Sequence, residues 1–173
     1  MIYTDMDGVL ADFDQACLDS GVINRSNFIH KPRSEWTLDE KETANQVSSL
    51  MGQEGWWLGI PPMPDYHELW AFIKPYKPVI LTARPKKIEL AKQVYQEKRD
   101  WITKYLGPVP DSQFICCLRS EKKNFIGHAP HRHQILIDDL EANIRDWENA
   151  GGTGILHTSA KSSIEALKEI LFE

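Results

Sequence analysis

Asp5 and Asp7 are the pair best placed to do chemistry in this chain. They stand one residue apart in the run Asp5-Met6-Asp7-Gly8-Val9-Leu10-Ala11-Asp12-Phe13. A short β-type run, Ile2-Tyr3-Thr4, precedes them, and alternate side chains of an extended segment share a face. If the strand end keeps that geometry, the two carboxylates converge on one small volume. Gly8 lets the chain turn away sharply at that point. Paired, desolvated carboxylates repel each other unless a cation or a shared proton relieves them. Such a pair at the C-terminal end of a strand suggests a Mg²⁺ site that handles phosphate. The competing reading is an exposed acidic turn, which spacing alone does not separate from the first.

The other polar candidates also fall at the ends of apolar runs. Thr82 closes the run at 78–82, Lys122 and Lys123 follow the run at 114–118, and Asp138 and Asp139 close the run at 134–137. If these strands are parallel, all four ends face one crevice. Carboxylates would hold Mg²⁺ there, while a hydroxyl and an ammonium bind phosphate oxygens. Each residue also has a simpler reading. Thr82 could cap a helix ahead of Pro85, Lys122 and Lys123 could be solvated helix charges, and Asp139 could cap the next helix. Asp12 reads as a helix-side polar residue.

The elements that must position these groups alternate. Strand patterns at 1–5, 78–82, 114–118, 134–137 and 154–157 are interleaved with helical patterns at 13–20, 86–106, 122–127 and 143–150, and a last helix opens at Ser162. The strands are short and apolar on both faces, which predicts a parallel sheet covered by helices. Residues 21–64 differ, being rich in Asn, Ser, Gly and Pro. Within them Thr37-Leu38-Asp39-Glu40 matches a capping box and predicts a helix over 38–51. Pro61, Pro62 and Pro64 stiffen the return. Asp65 and Glu68 read as a second capping pair, opening a helix with Leu69, Trp70, Phe72 and Ile73. Gly107 and Pro108 close the long helix. The irregular early segment reads as an insertion over the carboxyl edge of the sheet.

Composition narrows the function classes. A chain of 173 residues fits one domain with a small insertion. The net charge of −5 argues against a general nucleic-acid binder or a membrane-surface protein. No apolar run is long enough to span a bilayer. No secretory signal is visible, and the first strand pattern leaves no room for a cleaved leader. Cys17, Cys116 and Cys117 do not form a disulfide framework. Cys116 and Cys117 read as small apolar packing residues, and a reducing cytoplasm fits best.

Together these residues resemble the haloacid-dehalogenase-like phosphohydrolases, whose four motifs match Asp5-Met6-Asp7-Gly8-Val9, Thr82, Lys122 and Ile137-Asp138-Asp139. Within that superfamily the chain is most similar to the 5'(3')-deoxyribonucleotidases. The similarity adds Gly55-Trp56-Trp57, Lys98-Arg99-Asp100-Trp101 leading to Leu106-Gly107-Pro108, and Leu136-Ile137-Asp138-Asp139. The resemblance implies an α/β fold. Its Rossmann-like parallel sheet has about five strands, helices on both faces and a small, mainly helical cap inserted after strand 1. The implied core is 1–14 and 74–173, with 15–73 as the cap.

The resemblance further implies hydrolysis of a nucleoside monophosphate through an aspartyl-phosphate. Asp5 is the implied nucleophile and Asp7 the acid, then base. Thr82 and Lys122 are the implied phosphate contacts, with Lys123 as a competitor. The implied Mg²⁺ ligands are Asp5, the backbone carbonyl of Asp7, and the Asp138–Asp139 pair, with Asp138 preferred. Trp56 and Trp57 would meet the base, alongside Thr82, Ala83 and Arg84. Thr82-Ala83-Arg84-Pro85 departs from the Thr-Ser-Pro type sequence of the animal enzymes, which leaves substrate preference open.

The expected partner is a small phosphate monoester, with no membrane and no stable nucleic-acid complex, and a homodimer is allowed. Two other readings are an enzyme for another phosphate ester or a nucleic-acid 3'-phosphate, and a non-catalytic nucleotide-binding module. His128, His131 and His133 read as a hydrated loop rather than a transition-metal site.

Overall fold

The computed structural model describes residues 1–22, 33–127 and 133–172. Its five strands are β1 (Ile2–Thr4), β2 (Val79–Ala83), β3 (Phe114–Cys117), β4 (Ile135–Asp138) and β5 (Thr153–Leu156). They form one sheet in the order β3-β2-β1-β4-β5, and every pairing is parallel. The order reverses at β1, which has β2 on one side and β4 on the other. Ligands of open parallel sheets bind at the carboxyl ends of the strands around such a reversal. Thr4 lies opposite both Ile80 and Ile137, so Asp5 leaves the sheet between the ends of β2 and β4. Its N–H donates to Ile137 O at 2.8 Å.

Period-two alternation sorts the strand residues onto two faces. Ile2, Ile80, Ile135 and Ile137 pack in one core, while Tyr3, Leu81 and Leu136 pack in the other. The helices are α1 (Phe13–Asp19), α2 (Leu38–Leu50), α3 (Trp56–Gly59), α4 (Tyr66–Ile73), α5 (Ala91–Leu106), α6 (Glu141–Asn149) and α7 (Ala160–Phe172). The first core takes Leu69 and Ile73 from α4, Val94 and Ile102 from α5, and Leu167 from α7. The second takes Ile144 and Trp147 from α6. Helices thus cover both faces, as the doubly apolar strands predict.

The segment between β1 and α4 leaves and re-enters through a paired neck. Ala11 bridges Pro62 in antiparallel fashion. Asp12 N donates to Pro61 O at 2.7 Å and Met63 N to Leu10 O at 2.8 Å. Beyond the neck, Val47 of α2 packs on Cys17 of α1.

The capping box of α2 forms as its sequence predicts, with Glu40 N donating to Thr37 Oγ1 at 3.1 Å and Thr37 N to Glu40 Oε2 at 2.8 Å. Two expectations need correction. Asp65 does not cap α4; its backbone (φ −110°, ψ 9°) is not extended, and its Oδ2 instead accepts the N–H of Ala160, at the start of α7, at 2.6 Å. The long helix does not begin at 86. Arg84 N donates to Cys117 O at 2.9 Å, which holds the chain extended past β2. Pro85 disfavours helix at the residue before it. A 3₁₀ turn at Ile88–Leu90 then leads into α5.

Candidate active site

Asp5, Asp138 and Asp139 each offer a carboxylate oxygen, and these oxygens lie within 4.8 Å of one another. Asp5 Oδ1 accepts the N–H of Met6 at 2.7 Å. Its Oδ2 pairs with Lys122 Nζ at 2.7 Å, and the same ammonium reaches Asp138 Oδ2 at 2.7 Å. Lys122 projects from a 3₁₀ helix at Arg119–Phe125 and is 2 % exposed, whereas Lys123 is exposed. Of the two lysines, Lys122 is the one that pairs with these carboxylates. The short helix expected at 122–127 is this 3₁₀ helix, which begins three residues earlier, at Arg119.

Asp138 is fully buried and saturated. Asn143 Nδ2 donates to Oδ1 at 2.9 Å and to Oδ2 at 3.0 Å, and Leu140 N donates to Oδ1 at 3.0 Å. The turn into α6 is therefore served by Asp138, not by Asp139. The Asp139 carboxylate makes no hydrogen bond to another side chain among the described residues. It lies where a Cβ on Gly8 would stand, and Gly8 has φ +76°. Only glycine meets both demands, for the left-handed backbone and for the space.

The electrostatics show what this cluster lacks. Burial, then the charges of Asp5 and Asp138, push the Asp139 carboxyl up to about 8. Burial likewise pushes Asp5 up to about 7, with Asp138 and Asp7 adding to it and Lys122 opposing it. Burial acts to lower Lys122, but the two carboxylates override it and hold the ammonium above its ordinary range. Hard oxygen donors short of positive charge are the donor set that Mg²⁺ prefers. The residues present therefore fit such an ion.

Asp7 belongs to a second group. Lys98 of α5, 0 % exposed, reaches Asp7 Oδ2 at 2.5 Å, Thr82 Oγ1 at 2.7 Å and Ala83 O at 2.9 Å. Thr82 is buried, and its hydroxyl has a long 3.5 Å contact with Asp7 Oδ2. Asp7 Oδ1 is buried with no hydrogen-bond partner among the described residues. Lys98 stood in the sequence only as part of a family-like segment. Its signal was legible, since it lies four residues from both Val94 and Ile102 on the buried row of an amphipathic helix.

A cleft of about 180 Å³ opens beside both groups. Its apolar wall is Phe13, Met51 and Trp57, and Arg84 and Arg119 line it with Ala83. Trp57 is 1 % exposed, with Lys98 Nζ 4.1 Å above its ring and Phe13 tilted at 31° against it. Trp56 does not line the cleft; it packs edge-on against Phe13. The aromatic ring partly open to the cleft is that of Phe13, which the sequence reading did not single out. Arg119 and Asn143 were also missed, because neither lies in a recognisable motif.

Burial raises all three thiols, Cys17 to about 12 and Cys117 to about 11, which suits packing rather than nucleophilic chemistry. Of the histidine cluster, His128 and His131 lie outside the described residues, and His133 accepts Met1 N at its backbone oxygen. No helix among the described residues is long and apolar enough to cross a membrane.

No family model matches this chain, and no curated protein matches it. Among solved structures, it is similar to a hydrolase from Streptococcus pneumoniae TIGR4. The identity is 11 %, the TM-score is 0.49, and 99 % of this chain and 97 % of that one are covered. It is also similar to the L-2-haloacid dehalogenase from Xanthobacter autotrophicus with chloropropionic acid covalently bound. There the identity is 9 %, the TM-score 0.42 and the coverage 96 % and 86 %. These likenesses are too distant to bear on the chemistry, which rests on the geometry above.

Proposed function

We propose that this protein is a Mg²⁺-dependent phosphatase of the haloacid-dehalogenase-like type, acting on nucleoside monophosphates through an aspartyl-phosphate. The observation that carries this reading is the buried Asp5 carboxylate, held by Met6 N and Lys122 among converging acidic groups at the carboxyl edge of the sheet.

Asp5 and Asp139, with the backbone at Asp7 and with Asp138 behind them, would hold the ion. When bound, Mg²⁺ would neutralise carboxylate and phosphoryl charge together. Four carboxylates, of Asp5, Asp7, Asp138 and Asp139, face two ammonium groups, those of Lys98 and Lys122. One divalent cation fills that deficit. Arg84 and Arg119 then remain to meet a phosphoryl dianion in the cleft.

In the first step an Asp5 oxygen attacks phosphorus, the phosphorus–ester oxygen bond breaks, and Asp7 gives a proton to the departing alkoxide. In the second, water attacks the same phosphorus, Asp7 takes its proton, and the Asp5 carboxylate leaves. Thr82 Oγ1 and Lys122 Nζ, both buried beside Asp7 and Asp5, would contact phosphoryl oxygens. The wall of Phe13, Met51 and Trp57 favours an apolar or planar leaving group, hence a nucleoside.

The test is phosphate release from deoxynucleoside monophosphates with Mg²⁺. The wild-type chain is expected to turn them over and Asp5→Asn to lose at least about 10³-fold in kcat. Turnover retained by Asp5→Asn excludes it as nucleophile. Preference for short 3'-phosphorylated DNA would move the substrate to a nucleic-acid end. Nucleotide binding without any hydrolysis would favour the binding module.

A further inference from the structure

Gln93, Glu97 and Trp101 stand four residues apart along α5, which stacks them in one row on the helix surface. All three bind the backbone of the segment that carries α3. Gln93 Nε2 donates to Gln53 O at 3.1 Å. Glu97 Oε1 accepts the N–H of Gly55 at 2.9 Å, and Oε2 accepts that of Trp57 at 3.1 Å. Trp101 Nε1 donates to Ile60 O at 2.7 Å.

Glu97 is the unusual member. It is 8 % exposed and makes no salt bridge among the described residues. Its charge is met by the two backbone donors and by Gln93 Nε2 at 2.9 Å. Three donors converge on it, and a carboxylate is the side chain that only accepts. Gly55, the residue before α3, has φ +82° and no side-chain cap of its own. Glu97 supplies that cap from another helix.

The next residue reaches the acidic site. Lys98 binds Asp7, Thr82 and Ala83 and also covers the ring of Trp57. Two consecutive residues of one regular helix therefore tie together the apolar wall of the cleft and the carboxylate proposed to protonate the leaving group. Both side chains leave adjacent positions of one regular helix, so the wall-to-carboxylate distance is set in α5.

We propose that Glu97 is a specificity-determining positioning residue. It holds the Trp57 wall in register with Asp7, so that the enzyme favours an ester with a bulky apolar leaving group over one with a small polar group. Glu97 acts through Gly55 and Trp57 and does not touch substrate. The inference rests on the phosphatase reading above.

Its test compares kcat/KM for a deoxynucleoside monophosphate with kcat/KM for glycerol phosphate, both with Mg²⁺, in wild type, Glu97→Ala and Glu97→Gln. Glu97→Ala is expected to lower the ratio of the two about tenfold, mainly through KM for the nucleotide. Glu97→Gln, which keeps one acceptor, is expected to recover part of it. Equal losses on both esters, as a merely structural role gives, overturn the proposal. Hydrogen exchange over residues 54–60 is read alongside. Faster exchange in Glu97→Ala, partly reversed in Glu97→Gln, supports the clamp, and unchanged exchange overturns it. A wild-type chain that hydrolyses neither ester sinks the phosphatase reading, and exchange alone then decides whether Glu97 is a clamp.

Discussion

Asp5 and Asp139, raised to about 7 and about 8, hold protons in the cation-free fold that an unfolded chain would release above about pH 4. Between those limits the folded state binds more protons than the unfolded, so stability falls as pH rises through that window. A divalent cation favours the ionised carboxylates and reverses the loss. The melting temperature without Mg²⁺ is therefore expected to fall from pH 6 to pH 8, and added Mg²⁺ to raise it more at pH 8 than at pH 6. Equal shifts at the two pH values would remove this cluster as the cation site. Gly8→Ala provides a second check, since its Cβ displaces the Asp139 carboxylate and a positive φ strains any L-residue by about 1–2 kcal/mol. That variant is expected to fold, by circular dichroism, and to lose most of the Mg²⁺ shift. At this scale the acidic residues were legible because they close apolar runs. Lys98 and Glu97 went unread for chemistry because they belong to no strand end, although both lie among the buried residues of α5 with Val94, Trp101 and Ile102.

Helix ends in this protein are completed from a distance. Glu97 of α5 caps α3, and Asp65 at the start of α4 caps α7. Local rules find Thr37 and Glu40 because both partners lie within four residues. They misplace Asp65 because its acceptor oxygen serves a donor 95 residues away, the N–H of Ala160. The same limit explains α5. A periodic pattern runs back to Lys86, but the tie between Arg84 and Cys117 is a tertiary fact that delays the helix to Ala91. Removing the remote cap in Asp65→Ala is expected to cost about 1 kcal/mol, seen as a lower urea midpoint with an unchanged slope. Asp65 lies outside the cleft lining, so the activity of the folded fraction should follow wild type. A variant as stable as wild type would show that this bond contributes nothing to the docking of α7 on α4.

Across the whole molecule, five parallel strands bring residues from opposite ends of the sequence to one edge. That gathering was readable from short strands apolar on both faces, alternating with helical patterns. The neck at Ala11 and Pro62 was not readable, because backbone pairing between distant loops leaves no periodicity. The same long-range closure buries His157 just past β5. Its N–H donates to Asp138 O at 2.9 Å and its Nδ1 lies 2.8 Å from Ser163 Oγ, while its Nε2 is buried with no partner among the described residues. Burial lowers its pKa below the ordinary value, with Asp65 opposing. The unfolded chain therefore takes up a proton near pH 6.5 that the folded one refuses, and stability falls as pH drops from there toward the depressed value. Asp5 and Asp139 work in the opposite sense over the same range, so the effect of His157 is isolated by difference. The stability of wild type minus that of His157→Asn, from urea titrations, is expected to decline between pH 7 and pH 5 by up to about 1.4 kcal/mol per pH unit. A difference that stays constant across that interval would mean that His157 ionises as readily in the fold as outside it, and that the end of β5 is open to water.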